Sequence, residues 1–319
     1  MQIKLRATFT LLALASPAIA QDYPAKPIRL IVPYSPGGPV DIVGRLTAQK
    51  LTDELKQQVI VDNRAGGGGN IAVETVARST ADGYTLLFGS NGTNAINPGL
   101  YAKLAFNVEK DLVPIDMVAS SPLILVTHPA VPANSVRELV ALAKMKPGTI
   151  NYASAGRGST AHLAGELFKS MAGINLVHVP YKGAGPAVTD LVGGQVQIML
   201  TAISSTLPHV KSGRLKALAV SSEKRVALLP ELPAVNEEIP GYEVNTWYGV
   251  FAPVQLPRRH VDRLNQALVK IVSTTDTRQR LAALGAEPVA MSPEQFAVTV
   301  HKEIAKWAKV ITASGARPD

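Results

Sequence analysis

The chain has 319 residues, is 46% hydrophobic and 18% charged, and carries no cysteine. Its length suits two domains at the usual ~100–200 residues each, and the missing cysteine excludes a disulfide staple, a thiol nucleophile and a cysteine-ligated metal. The net charge of +8 suits an anionic ligand. There is no long Lys/Arg block and no aromatic interleaving of the kind used on single strands, so nucleic acid is not expected as a partner; the densest basic run is Arg258-Arg259-His260.

Residues 1–20 read as a secretory signal. Lys4 and Arg6 form a positive start, Ala7 to Ala15 is a short apolar run, and Ala18-Ile19-Ala20 is a small-x-small cleavage site. The run is far shorter than the ~20 residues that span a bilayer. The mature chain is expected to begin at Gln21 and to work in the periplasm. From there, strand-like and helix-like stretches alternate. Residues 28–32 are a buried-strand pattern, 33–39 a loop, and 40–55 a helix by apolar spacing at Val43, Leu46, Leu51 and Leu55. A strand at 59–61, a glycine turn at 64–70, a helix at 71–78 and a strand at 84–88 follow. Residues 117–128 form a longer apolar stretch broken by Ser120-Ser121-Pro122.

The alternation then resumes. A helix over 135–146 opens on Ser135 and Glu138, a capping box. Strands are expected at 150–154, 176–179, 196–200, 215–220 and 242–251, with helices at 160–171 and 184–191. The last ~60 residues read as helical by the same periodicity, over 258–272, 277–284 and 292–313, with Ser292 as cap and Pro293 in the first position. This pattern predicts an α/β fold with mostly parallel strands. The tail carries helices without strands of its own, so it should return to cover the first half. Domain I is then 21–123 with 246–319, and domain II is 124–245, joined by two crossover strands around a central cleft.

Two places share one design: a strand ends, a Gly/Ser-rich turn follows, and a helix begins. They are Tyr34-Ser-Pro-Gly-Gly-Pro-Val-Asp41 and Ser154-Ala-Gly-Arg-Gly-Ser-Thr-Ala-His162. A helix N-terminus offers unpaired N–H groups and about half a positive charge, and glycine admits a ligand close to the backbone. Each turn alone is equally a tight connection; the pair, one per domain, favours an anion clamp. A third turn, 89–94, offers Ser90 and Asn91 as donors or as plain helix caps. Gly66-Gly67-Gly68-Gly69 lacks the acidic partner ~20 residues on that a dinucleotide loop needs, and reads as structural. No cofactor is expected.

Catalytic signals are thin. There is no G-x-S-x-G elbow, the six histidines lack metal spacing, and Ser159 and His162 share one helical turn, a poor nucleophile–base geometry. His162 reads as cleft wall or packed residue. Trp247, on the return crossover, reads as ligand cover or hinge packing.

Tyr23-Pro-Ala-Lys-Pro-Ile-Arg-Leu-Ile-Val-Pro33, Pro36-Gly-Gly-Pro-Val-Asp41, Val61-Asp-Asn-Arg-Ala-Gly66, Ala81-Asp-Gly-Tyr84, Tyr152-Ala-Ser-Ala-Gly156, Val179-Pro-Tyr-Lys-Gly183 and Leu229-Pro-Glu-Leu-Pro233, in this order, resemble the Bug family of extracytoplasmic solute receptors of tripartite tricarboxylate transporters. The resemblance runs over essentially the whole mature chain. It implies a type II periplasmic-binding-protein fold that closes on a carboxylate held by the two turns and bridging waters. It points to Tyr34, Gly37, Gly38 and Asp41, to Ser90 and Asn91, and to Ser154, Gly158, Ser159 and Thr160. Asp41, itself acidic, is expected to fix the loop rather than face a carboxylate. Two departures matter. Pro39 removes one N–H donor, and the loop expected after residue 200, Thr201-Ala-Ile-Ser204, lacks the Asp that amino-acid-binding members carry. The ligand expected is therefore a carboxylate without an amino group, aromatic or a dicarboxylate. The protein should be a monomer that hands its ligand to membrane permease subunits, without chemistry. The competing readings are a secreted hydrolase and a receptor for a signalling system.

Overall fold

The computed structural model describes residues 23–181 and 183–318; the signal reading of residues 1–20 lies outside them. The strands are β1 (Ile28–Val32), β2 (Val59–Asn63), β3 (Thr85–Ser90), β4 (Leu112–Thr127), β5 (Asn151–Ser154), β6 (Val177–Pro180), β7 (Ile198–Ala202), β8 (Lys216–Val220), β9 (Asn245–Pro253) and β10 (Glu287–Pro288). They hydrogen-bond into one path, β2-β1-β3-β9-β4-β7-β5-β6, with β8 and β10 attached to β4. The architecture is α/β, as the alternating pattern predicts, but the sheet is mixed rather than mostly parallel: strands β1 to β3 and β5 to β7 pair parallel, while β9, β4, β8 and β10 pair antiparallel, because the two long strands that pass between the halves run in opposite directions.

The path has two halves. In the first, β1 runs parallel to β2 and β3, and β9 runs antiparallel between β3 and β4. In the second, β5 is parallel to β6 and β7. Parallel strands put their carboxyl ends on one edge, where ligands of open α/β sheets collect. Residues 33–34, 64 and 91 thus share one edge, and residues 155, 181 and 203 share the other.

β4 serves both halves. Residues 112–122 pair with β9, and residues 123–127 pair with β7 and β8. Sequence reading broke this segment at Ser120-Ser121-Pro122, yet it is one strand of 16 residues. Pro122 sits at the last β9 pair, where the ladder ends and its missing N–H costs nothing. Register shifts at Pro114/Asp116, Met117/Ala119 and Leu125/Val126 mark bulges, which bend a strand and let it leave one sheet for another. Beside the change of sheet, the Ser221 hydroxyl accepts from Leu123 N at 2.7 Å and donates to Val244 O at 2.5 Å. One buried serine therefore ties the two passages between the halves.

The tail returns to the first half. Helix Arg258–Ser273 buries Val261, Leu264, Leu268 and Ile271 in a core with β1, β3 and helix Pro39–Leu55. Helix Pro293–Ser314, with the Ser292 capping box, buries Phe296, Val300 and Trp307 on the opposite face. A third cluster fills the second half between β7, β8 and helix Ala184–Val192.

Two local expectations differ. β3 runs through Ser90, and helical turns from Gly92 to Leu100 begin almost at once, so the expected 89–94 loop is the seam between strand and helix. β7 extends through Ala202, and helix Ile203–Lys211 starts directly. Thr201 therefore lies in a strand and not in a loop. Both misreadings have one cause: short polar residues at a carboxyl-end edge look like loop in sequence, but they keep ladder pairing in the fold.

Candidate functional site

In the first turn, Gly37 takes φ +87°, and nothing lies within 4 Å of where its Cβ would stand. Its N–H donates to Asp41 Oδ2 at 2.9 Å. The same carboxylate accepts from Arg45 Nε at 2.9 Å and from Asn63 Nδ2 at 2.8 Å, and Asn63 also donates to Tyr34 O at 2.9 Å. Burial pushes the Asp41 carboxyl up, but the bonds from Arg45, Gly37 and Asn63 outweigh it and hold the group below the usual carboxylate range. Asp41 is 2% exposed and fully committed to the loop. Helix Pro39–Leu55 begins with Gly38 as a cap that supplies no side-chain bond and with Pro39 in the first position. Its N-terminus therefore offers one donor fewer than an ordinary helix.

Tyr34 and Ser90 meet: the Ser90 side chain hydrogen-bonds the Tyr34 hydroxyl, partly offsetting a pKa that burial raises. A Cβ on Gly92 would stand 2.9 Å from that hydroxyl. Asn91 donates to Asn245 O at 3.1 Å, fastening this edge to the start of β9. Ser90 and Asn91 are buried at 3% and 1%.

The second turn repeats the plan. Gly158 takes φ +72°, and its N–H donates to His162 Nδ1 at 3.0 Å. Ser159 caps helix Thr160–Ala172 by accepting from His162 N at 3.2 Å, and its hydroxyl donates to Gly156 O at 2.7 Å. Ser154, fully buried, lies 3.0 Å from Gly156 O and 2.7 Å from His178 Nε2. The His162 and His178 rings stack at 3.9 Å and 15°. Behind them Glu166 accepts from Lys169 at 2.8 and 2.9 Å and from the Tyr152 hydroxyl. Burial pushes His178 down to about 3, helped by His162, Arg157 and Lys169 nearby. Arg157 stands exposed in the turn with no ion-pair partner among the described residues.

The structure therefore gathers Tyr34, Gly37, Gly38, Asp41, Ser90 and Asn91 at one edge, and Ser154, Gly158, Ser159, Thr160 and His162 at the other. The edges approach each other, since a Cβ on Gly158 would lie 2.5 Å from Leu100 Cδ2. Thr201 is buried in β7, opposite Ile124. Trp247 is set apart. Its ring packs 5.4 Å from Phe296 and 6.2 Å from Phe251, beside a separate cavity of about 420 Å³ lined by Met117, Met291 and Lys302.

Because the Asp41 carboxylate, the Ser159 hydroxyl proton and the N–H groups of Gly37, Gly156, Gly158 and Ser159 are spent internally, what the turns hold out is the first N–H groups of the two helices, the Thr160 hydroxyl and the charge of Arg157. That set has the chemistry an anion site needs, N–H and hydroxyl donors beside a positive charge. Sequence reading missed Arg157 and His178. Arg157 lies inside a motif already singled out; His178 looked like an ordinary strand residue.

Residues 43–316 match the model of the tripartite tricarboxylate transporter family receptor. The chain is 39% identical over 306 residues to protein BugT of Bordetella pertussis, covering 95% of this chain and 94% of that one. Among solved structures, R. palustris Rpa4515 with adipate is 35% identical with a TM-score of 0.80, covering 93% of this chain and all of that one. MatC from Rhodopseudomonas palustris with bound malate is 31% identical with a TM-score of 0.75, covering 91% and 100%. The periplasmic binding protein BugD is 34% identical with a TM-score of 0.76, covering 93% and 100%.

Proposed function

Because the chain belongs to the tripartite tricarboxylate transporter receptor family, and so to the solute-binding receptors, we propose that it captures a small non-amino carboxylate in the periplasm and delivers it to membrane permease subunits. The two halves act as two lobes, residues 21–123 with 246–319 and residues 124–245, and close on the ligand as a monomer. Closure follows from tighter binding to the closed form. The observation that carries this reading is the pair of helix-start turns, one per half, whose side chains and glycine N–H groups are spent on their own loops, so that the first N–H groups of helices Pro39–Leu55 and Thr160–Ala172 are what each turn leaves for a ligand. Tyr34, Ser90 and Asn91 line the first side; Thr160 and Arg157 line the second.

The acids beside the turns support a ligand without an ammonium group. Asp41 is held by Arg45, Gly37 and Asn63, and Glu166 by Lys169 and Tyr152. Neither is left to pair with a cation. Two neighbours were solved with adipate and malate, both dicarboxylates that carry no amino group. Hydrolysis is the weaker reading. Ser154 and His178 make the closest serine–histidine approach at these turns, 2.7 Å, but Ser154 has no exposed surface, so its hydroxyl has no access to an acyl group.

Calorimetry on the mature chain with adipate, malate, benzoate, aspartate and glutamate tests the reading. A non-amino carboxylate should bind and stabilise the fold without being consumed. Aspartate or glutamate binding much more tightly than every non-amino acid would overturn it.

A further inference from the structure

We propose that His178 is a positioning residue of the second turn: it sets the direction of the donors that hold the carboxylate without touching the ligand. The inference rests on the carboxylate-capture reading for its consequence, and on the hydrogen-bond pattern for its substance.

His178 lies on β6, level with Tyr152 of β5. Its Nε2 is 2.7 Å from Ser154 Oγ. That oxygen accepts from Gly156 N at 3.2 Å and stands 3.0 Å from Gly156 O. A hydroxyl has one proton. If Ser154 gives it to Gly156 O, His178 must be the donor, with its proton on Nε2. Gly156 O is the hub of the turn, since Ser159 reaches it through both hydroxyl and N–H, at 2.7 and 3.3 Å. His178 thus secures the Ser154 end of the turn through a donated hydrogen bond.

The same ring secures the other end by stacking. His162 Nδ1 accepts from Gly158 N–H, so that nitrogen carries no proton. His178 covers the His162 face at 3.9 Å and is itself covered by Tyr152 at 4.8 Å. The charged groups around the pair are Arg157 on the turn and Lys169 and Glu166 on helix Thr160–Ala172. Two stacked neutral imidazoles hold Gly156 and Gly158, the two glycines between which Arg157 projects. Neither contact requires His178 to reach the ligand.

The two contacts can be removed separately. His178→Phe keeps the stacked ring and loses the donor. His178→Gln keeps a donor close to the Nε2 position and loses the ring. His178→Ala loses both. With adipate as probe, calorimetry should show the largest loss for Ala, on the order of 30-fold or more, with Phe and Gln each recovering part of it. Full recovery by Phe means that the ring only fills space, and overturns the proposal. Affinities of all three variants within twofold of the parent also overturn it.

Ring-nitrogen and amide NMR on the ligand-free chain decides the same point without a ligand. His178 and His162 should both show the Nε2–H tautomer, and the Gly158 amide should shift in Phe, Gln and Ala alike. An Nδ1–H tautomer on either ring, or an unmoved Gly158 amide, overturns the proposal. If the parent chain ignores adipate while the NMR pattern holds, carboxylate capture fails at adipate and the positioning role stands.

Discussion

In the first turn Gly37 donates to Asp41 four residues on, and in the second Gly158 donates to His162 at the same spacing. Both glycines sit in the left-handed region, and both acceptors lie in the first turn of the helix that follows. The acceptors differ in kind. Asp41 is an ionised carboxylate that Arg45 neutralises, so a bound anion meets a nearly balanced loop that already lacks the N–H of Pro39. His162 adds no negative charge, Ser159 supplies a true cap, and Arg157 adds a positive one. On the proposed reading, one backbone plan thus serves as a shaping turn on one side and as the anion-holding turn on the other. The charge of the loop-fixing acceptor separates them.

That contrast depends on the halves being held together, and the largest effect should come from breaking the tie. Ser221→Ala leaves Leu123 N–H and Val244 C=O buried without their partner. A stability loss of about 2–4 kcal/mol is expected, read as a lower urea midpoint; an unchanged midpoint would show that Ser221 is not the tie.

The glycines test the contrast directly. A side chain at positive φ costs ~1–2 kcal/mol in either turn. Gly158→Ala also drives a methyl group toward Leu100 Cδ2, whereas Gly37→Ala meets open space. Adipate affinity should fall about tenfold or more for Gly158→Ala and several-fold less for Gly37→Ala. Equal losses by calorimetry would erase the asymmetry.

Acid sharpens it further. Folding holds His178 neutral, pushed down to about 3 from an ordinary 6.5. The unfolded chain therefore takes up the proton first, and this stability is complete above pH 6.5 and drains away as pH falls toward 3. Asp41 starts from 3.8 and is lowered, so its contribution is present above pH 3.8 and is lost only below that. Between pH 7 and 4 the second turn alone should weaken. Melting temperature should fall more steeply across that range in the parent than in His178→Phe, and parallel slopes would place the acid sensitivity elsewhere.

The smallest effect concerns steering. Arg157→Ala should slow adipate association by a few-fold and flatten its salt dependence, with a smaller change in dissociation. Stopped-flow traces at two ionic strengths would show it; a salt dependence equal to the parent's would remove Arg157 from the encounter.

How much of this was legible in the sequence follows from the range of each interaction. Periodicity and turn chemistry alone determined the α/β alternation, the helix of Ser135 and Glu138, the helix started by Ser292 and Pro293, and the two turns. Each depends on neighbours within about four residues. The acidity of Asp41 also pointed to a role in its own loop, because one carboxylate does not face another, and the bond from Gly37 four residues earlier gives it that role. The tertiary structure decided the rest. Pairing with β9 made one strand of residues 112–127 through Ser120-Ser121-Pro122; burial against Phe296 drew the Trp247 ring into the core; and the register of β5 against β6 brought His178 to Ser154, 24 residues away. Local hydrogen bonds leave a signature in residue spacing, whereas contacts across a sheet depend on which strands become neighbours, and no spacing along the chain encodes that.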